Sequence, residues 1–310
     1  MLKIKVMTHD DLEHVSRLIS ELNRIEESHI GYCAKNKDEI KEDFINNISD
    51  IKFTNSFILA YEGETLIGVL GFDADLENET AEIWGPFIVS NKWDIAKNMW
   101  EQLIELVPNE INSLLMFPNV KNTRACELAN RLSFEKYSDE TILVFEREQS
   151  HELQNVSIQE LNPEYISSMK QLHNEAFPNA YYNGQQIIER LNKYRKVFII
   201  TNEKGLSGYI YVEAEPDFGG ASIEFFAVHE SERGKGIGSE LLRGALKWLF
   251  TFKEIESIRL CVSSNNKNAI NLYQKVGFQH KHDLYAYVII IKESHPNLSG
   301  GILLIICFAK

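Results

Sequence analysis

Val228-His229-Glu230-Ser231-Glu232-Arg233-Gly234-Lys235-Gly236-Ile237-Gly238-Ser239 is the stretch on which the reading of this chain turns. An apolar, β-favouring run, Ile223 to Val228, leads into it. Glu240 to Phe252 follows, with Leu241, Leu242, Ala245, Leu246 and Leu249 at helical spacing. The pattern reads as strand, glycine-rich turn, helix. Gly234, Gly236 and Gly238 let the backbone turn tightly and leave its N–H groups uncovered at a helix N-terminus, where the dipole is positive. Arg233 and Lys235 add charge at the same place. Such a turn suits phosphate oxygens.

The spacing excludes two common phosphate binders. A dinucleotide fingerprint would need glycine where Ser239 stands, and no Lys-Ser or Lys-Thr pair follows the last glycine, as a P-loop requires. Downstream, a second strand-like run, Ser257 to Val262, precedes Asn266-Lys267-Asn268-Ala269-Ile270-Asn271-Leu272-Tyr273-Gln274-Lys275-Val276-Gly277-Phe278.

Together the two stretches resemble the signatures of the GNAT superfamily of acyl-CoA-dependent N-acetyltransferases. The first matches its pyrophosphate turn, [Gln/Arg]-x-x-Gly-x-[Gly/Ala], through Arg233, Gly236 and Gly238. The second matches its Asn-x-x-Ala-x-x-x-Tyr-x-x-x-Gly-Phe pattern, at about the family's separation. The resemblance implies an α/β chain, an α+β arrangement in which a central mixed, mostly antiparallel β-sheet is flanked by helices. It also implies acetyl-CoA as co-substrate.

The chain holds this pattern twice. At an offset of 144 residues, Asn122-Thr123-Arg124-Ala125 lies on Asn266-Lys267-Asn268-Ala269, and Leu132-Ser133-Phe134 on Val276-Gly277-Phe278. In the first half we expect strands at 2–7, 56–61, 65–72, 80–89 and 111–116, helices near 9–24, 37–48, 92–106 and 122–131, and two short strands to about 146. The second half repeats the series at 154–158, 160–176, 184–193, 197–202, 206–213, 221–228, 236–252, 257–263, 267–275 and 278–291. Two tandem GNAT-like folds follow: a degenerate domain at 1–148, an intact one at 152–292, and a tail of unclear role at 293–310. The polar Arg147-Glu148-Gln149-Ser150-His151-Glu152 is the expected boundary. In the tail, Ile302 to Phe308 is apolar but too short to span a bilayer.

The first copy departs from the pattern where chemistry would occur. Ser90-Asn91-Lys92-Trp93-Asp94-Ile95-Ala96-Lys97 has no glycine, Ala129 stands at the place of Tyr273, and Ser133 at that of Gly277. We expect a fold retained and a catalytic site lost.

At 310 residues and 44% hydrophobic, the chain has length for two ordinary cores. Its formal charge of −13 lies wholly in residues 1–150, with 15 Lys+Arg against 28 Asp+Glu. An acidic surface argues against nucleic acid and acidic membranes as partners. Met1 to Val6 alternates like a strand and has no apolar core of signal-peptide length, and no run approaches the ~18 apolar residues of a membrane span. Cys33, Cys126, Cys261 and Cys307 lack C-x-x-C spacing and read as free thiols in a reducing cytoplasm; no metal motif occurs.

The family's reaction is direct attack of an amine on the acetyl-CoA thioester. The resemblance gives the pyrophosphate to Gly234, Lys235, Gly236, Ile237, Gly238 and Ser239 with Arg233 beside them. It gives the pantetheine arm to the strand end at Ala227 and Val228, with Asn266 also placed to touch it. Tyr273 is the expected general acid, its ordinary pKa being near 10. Glu224, in an otherwise apolar strand, is the expected general base, although Glu82 holds a similar place in the first copy; His229 is the substitute. The acceptor, a small-molecule or peptide amine, is expected among Phe177-Pro178-Asn179-Ala180-Tyr181-Tyr182-Asn183, His280, His282, Asp283 and Tyr285. A non-catalytic acyl-CoA sensor and a longer acyl donor stay open, as does monomer against homodimer.

Overall fold

The computed structural model describes residues 2–47, 50–178, 180 and 182–291; the expected tail at 293–310, with its apolar run, lies outside the described residues. The first half runs β1 (Leu2–Val6), α1 (Leu12–Asn23), α2 (Lys37–Glu42), α3 (Phe53–Ser56), β2 (Phe57–Glu62), β3 (Thr65–Asp75), β4 (Thr80–Ile88), α4 (Ala96–Ile104), β5 (Ser113–Met116), α5 (Thr123–Arg131) and β6 (Glu135–Glu146). The second runs β7 (Gln159–Glu160), α6 (Ile166–Ala176), α7 (Gly184–Arg190), β8 (Arg195–Asn202), β9 (Gly205–Glu215), β10 (Gly220–Val228), α8 (Ile237–Leu249), β11 (Ser257–Ser263), α9 (Lys267–Val276) and β12 (Gln279–Ile290).

Three expectations shift. The two short strands expected before 146 are one strand, β6. No strand forms at 154–158; the two residues of β7 follow that stretch instead. The helix expected from 160 begins at Ile166, because Pro163 opens a 3₁₀ turn whose Asn162 side chain accepts the Glu164 N–H at 3.1 Å.

Contacts divide the chain into two units, residues 1–140 with the segment from Asp283, and Thr141–His282. Each unit therefore takes its last strand from the other half of the sequence. In the first, the strand order is β1-β2-β3-β4-β5-β12. All neighbours are antiparallel except β4 and β5, which run parallel. Leu70, Phe72 and Ile83 pack there with Met99, Trp100 and Tyr287.

The second unit holds an antiparallel sheet, β10-β9-β8-β7, and β11 beside β6. β9 is buried on both faces. Ile210, Val212 and Ala214 meet the apolar stripe of α8, Leu241, Leu242, Ala245, Leu246 and Leu249. Tyr209 and Tyr211 meet α6 and α7 through Met169 and Ile187. Arg147–Glu152, expected as the boundary, is a 3₁₀ segment docked on this unit. Arg147 donates to the carbonyls of Ile255 at 2.8 Å and Phe250 at 3.1 Å, and Gln149 to that of Gly277 at 2.8 Å. Where the sequence repeat restarts and where the contacts divide are thus different places, since strands pair with the edge available to them.

Candidate active site

The site is built on the turn between β10 and α8. Gly234 and Gly236 have φ of +79° and +90°, values that L side chains rarely adopt, and a Cβ at either would meet nothing within 4 Å. The turn is exposed from Arg233 to Gly236 and opens onto the N-terminus of α8, where Gly236 is the N-cap. Ile237 and Gly238 are half-buried and Ser239 is buried. Backbone amides and the helix dipole at such a turn favour an anion. The turn's cations are held in place: Lys235 pairs with Glu232 at 3.0 Å, and Arg233 Nε donates to the Val228 carbonyl at 3.3 Å.

β10, which leads into this turn, is the edge of its sheet; β11 is not its hydrogen-bonded neighbour. The His229 N–H donates to the Ser207 carbonyl at 2.9 Å, so in the antiparallel ladder His229, Ala227 and Phe225 bond toward β9. The backbone groups of Val228 and Phe226 therefore point to the open side. Of the two residues expected beside a pantetheine arm, Val228 turns its amide to that side and Ala227 turns its own toward β9; Phe226 shares the outward position.

The register slips between Ile223 and Phe225, leaving Glu224 as the extra residue of a β-bulge. Its effect is visible in the packing. Ala221 and Ile223 face α8, whereas Phe225 and Ala227, which strict alternation would put on that same side, face α6 and α7. Glu224 is half-buried at this inversion. Glu82 is not its counterpart: Ile88 pairs with Gly68 as Val228 pairs with Gly208, and Glu82 lies opposite Asp73 as Ser222 lies opposite Glu213. The first copy has no carboxylate at the bulge, so the parallel that weakened Glu224 as a base disappears.

Tyr273 reaches the same region from α9. Its ring meets Phe226 edge-on at 5.9 Å and Phe278 at 5.5 Å, and no protein group among the described residues hydrogen-bonds its hydroxyl. Burial pushes its phenol well above the ordinary value, so it carries its proton throughout the neutral range. Asn266, expected beside the cofactor arm, stands at the N-cap of α9. Its side chain accepts the Ala269 N–H at 3.1 Å and caps α9, as Asn122 does for Ala125 at 3.1 Å in α5. His229 is exposed and bonded to Ser231 at 3.1 Å.

Of the expected acceptor residues, Phe177, Ala180 and Tyr182 pack in the second unit beside α6 and α7. His280 and His282 belong to that unit, Asp283 and Tyr285 to the first, and Asn179 and Tyr181 lie outside the described residues. In the first unit the turn after β4 is closed. Lys92 N–H donates to the Val89 carbonyl at 3.0 Å, Lys92 is paired with Glu62 at 2.7 Å, and no residue from 89 to 96 has positive φ. Among the described residues no group of three or more His, Cys, Asp or Glu could hold a metal, and no helix is long and apolar enough to cross a membrane.

Residues 166–278 match the model of the acetyltransferase (GNAT) family. Streptothricin acetyltransferase of Escherichia coli is 43% identical over 58 residues, 19% of this chain and 33% of that protein, so the chain spans about a third of this curated relative. The fold of a GCN5-related N-acetyltransferase from Sphaerobacter thermophilus superposes with a TM-score of 0.70 at 13% identity, covering 95% of this chain and 97% of that one. A tandem GNAT protein from the clavulanic acid biosynthesis pathway does so with a TM-score of 0.60 at 13% identity, covering 95% and 100%. Residues 166–278 thus carry the domain of the acetyltransferase (GNAT) family, and the fold of solved GNAT proteins, a tandem one among them, extends over 95% of the chain.

Proposed function

We propose that the second unit transfers an acetyl group from acetyl-CoA to a primary amine of a small molecule or peptide, and that the first unit does no chemistry. The observation that carries this reading is the open edge of β10 running into an uncovered glycine cradle at the N-terminus of α8, with the Tyr273 ring against Phe226. The cradle amides from Gly234 to Ser239 hold the diphosphate. Val228 and Phe226 extend the sheet onto the pantetheine amides, and an edge amide polarises the thioester carbonyl.

Glu224, directly or through a water, takes a proton from the amine and afterwards releases it to solvent. The nitrogen attacks the carbonyl carbon; the C–N bond forms and the C–S bond breaks. Tyr273 donates to the departing sulfur and regains its proton from solvent. The raised pKa of Tyr273 has two sides: it keeps the donor charged with its proton, and it makes complete transfer more uphill, so the hydrogen bond to the developing thiolate is the larger part of its contribution.

The test is calorimetric titration of acetyl-CoA into the whole protein and into a Gly236→Glu, Gly238→Glu variant. We expect one equivalent bound by the protein and none by the variant. Two equivalents would overturn the reading of the first unit, no binding would overturn acyl transfer, and binding without turnover across an amine screen would leave a sensor.

A further inference from the structure

Tyr209, Tyr211 and Glu213 stand at two-residue spacing on the face of β9 that meets α6 and α7, among Met169, Ile187 and Phe225. His173 of α6 is fully buried there. Its Nε2 lies 2.7 Å from the Tyr182 carbonyl and its Nδ1 2.5 Å from the Tyr209 hydroxyl. A carbonyl only accepts, so Nε2 carries the proton and Nδ1 accepts from Tyr209.

Further along the strand, buried Glu213 receives Arg190 Nη2 at 2.9 and 3.1 Å, Arg190 Nε at 3.2 Å, Arg195 Nε at 2.9 Å, and the Tyr211 hydroxyl. The guanidinium so fixed lies 4.1 Å from the centre of the Tyr182 ring. Tyr182 is thus gripped at its carbonyl and at its ring, and both grips are anchored on β9. The residues after it are fastened as well: Asn183 caps α7, and the Gly184 N–H donates to Asn174 Oδ1 at 2.8 Å. The same His173 ring meets Phe225 edge-on at 4.9 Å, next to the bulge at Glu224.

A buried carboxylate held by two arginines is often no more stabilising than apolar side chains of the same volume, and breaking it by removing one partner leaves a buried charge unpaired. We propose that His173 and Arg190 are positioning residues, which set Tyr182 and the start of α7 relative to the bulged strand and so govern acceptance of the amine rather than retention of acetyl-CoA. This rests on the acyl-transfer reading above.

The test uses the full chain with Tyr209→Phe, Arg190→Lys, His173→Phe and His173→Gln, the last retaining a donor toward Tyr182. Hydrogen exchange is followed on the peptide spanning 182–188, and acetyl-CoA affinity by calorimetry. We expect exchange there to quicken about tenfold in the first three variants, to stay near wild type in His173→Gln, and acetyl-CoA affinity to change less than twofold. With spermidine as the amine, we expect its KM to rise about tenfold while the KM for acetyl-CoA holds. Unchanged exchange in Tyr209→Phe and Arg190→Lys would overturn the proposal, as would quickening spread equally over α8 and β10. If the wild type binds no acetyl-CoA yet the exchange pattern appears, the acyl-transfer reading fails and the ladder stands as an anchor of Tyr182 alone.

Discussion

At the scale of the residue, polar side chains separate into those whose polar atoms the fold itself occupies and those it leaves without a protein partner. Asn266 and Tyr273 lie in one motif, yet the side-chain oxygen of Asn266 is occupied by its own helix while no protein group among the described residues hydrogen-bonds the hydroxyl of Tyr273. Replacing Tyr273 with Phe is expected to lower turnover by about 10² or more and to leave acetyl-CoA affinity nearly unchanged, as steady-state kinetics beside calorimetry would report. Asp11 is an anchor of the first unit. Burial alone would raise its carboxyl, but Lys5 at 2.8 Å, the Thr8 hydroxyl at 2.6 Å, Tyr61 at 2.8 Å and the Thr8 amide outweigh it and hold the pKa at about 2. A folded pKa below the unfolded one stabilises at high pH, and this contribution is lost as the pH falls from near 3.8 through about 2. Asp11→Asn should therefore cost about 2 kcal/mol at pH 7, with the gap to wild type closing below pH ~4, as urea unfolding across that range would show.

At the scale of the element, β10 combines a closed side and an open one, and the two can be separated by substitution. Proline at 227 removes a ladder bond to β9, whereas proline at 228 removes an outward amide. Ala227→Pro is expected to lower stability by about 1 to 3 kcal/mol, the cost of leaving a buried carbonyl unpaired, and Val228→Pro by far less while weakening acetyl-CoA at least tenfold; thermal melts and calorimetry distinguish them. Much of this element is legible in the sequence. The apolar run, the glycines and the helical spacing of Leu241 to Leu249 place strand, turn and helix correctly, because each is a local signal. The bulge at Glu224 is not legible: it exists only as a slip against β9, and Ile223-Glu224-Phe225-Phe226 reads equally well as an unbroken strand. For the same reason the outward amide of Phe226 escapes a sequence reading, and the parallel with Glu82 falls two places out of register. The polar ladder leaves only a faint trace, Tyr209, Tyr211 and Glu213 at period two, with Arg190 and Arg195 some way before them.

At the scale of the whole molecule, the internal repeat and the tandem fold are readable from Asn122 and Asn266, Phe134 and Phe278. The trade of strands is not, since nothing in β6 or β12 names the neighbour it will choose. It has a measurable consequence. Residues 152–292 made alone lack Leu143 and Phe145, both buried against the second core, where Phe145 meets Phe250 at 5.8 Å and Phe278 at 5.4 Å. Removing two such side chains from a core costs on the order of 3 to 5 kcal/mol each. That fragment is expected to melt well below the full chain, and extending it back to Thr141 to recover most of the loss, by calorimetry. Tyr287, paired with Met116 in the first unit, carries a different implication. On the ribosome, where domains generally fold from the N-terminus onward, everything the second unit needs from Thr141 to His282 has emerged before the strand that completes the first one. The half that is translated first is the half that closes last, and until then the nascent chain must shield the bare flank of β5.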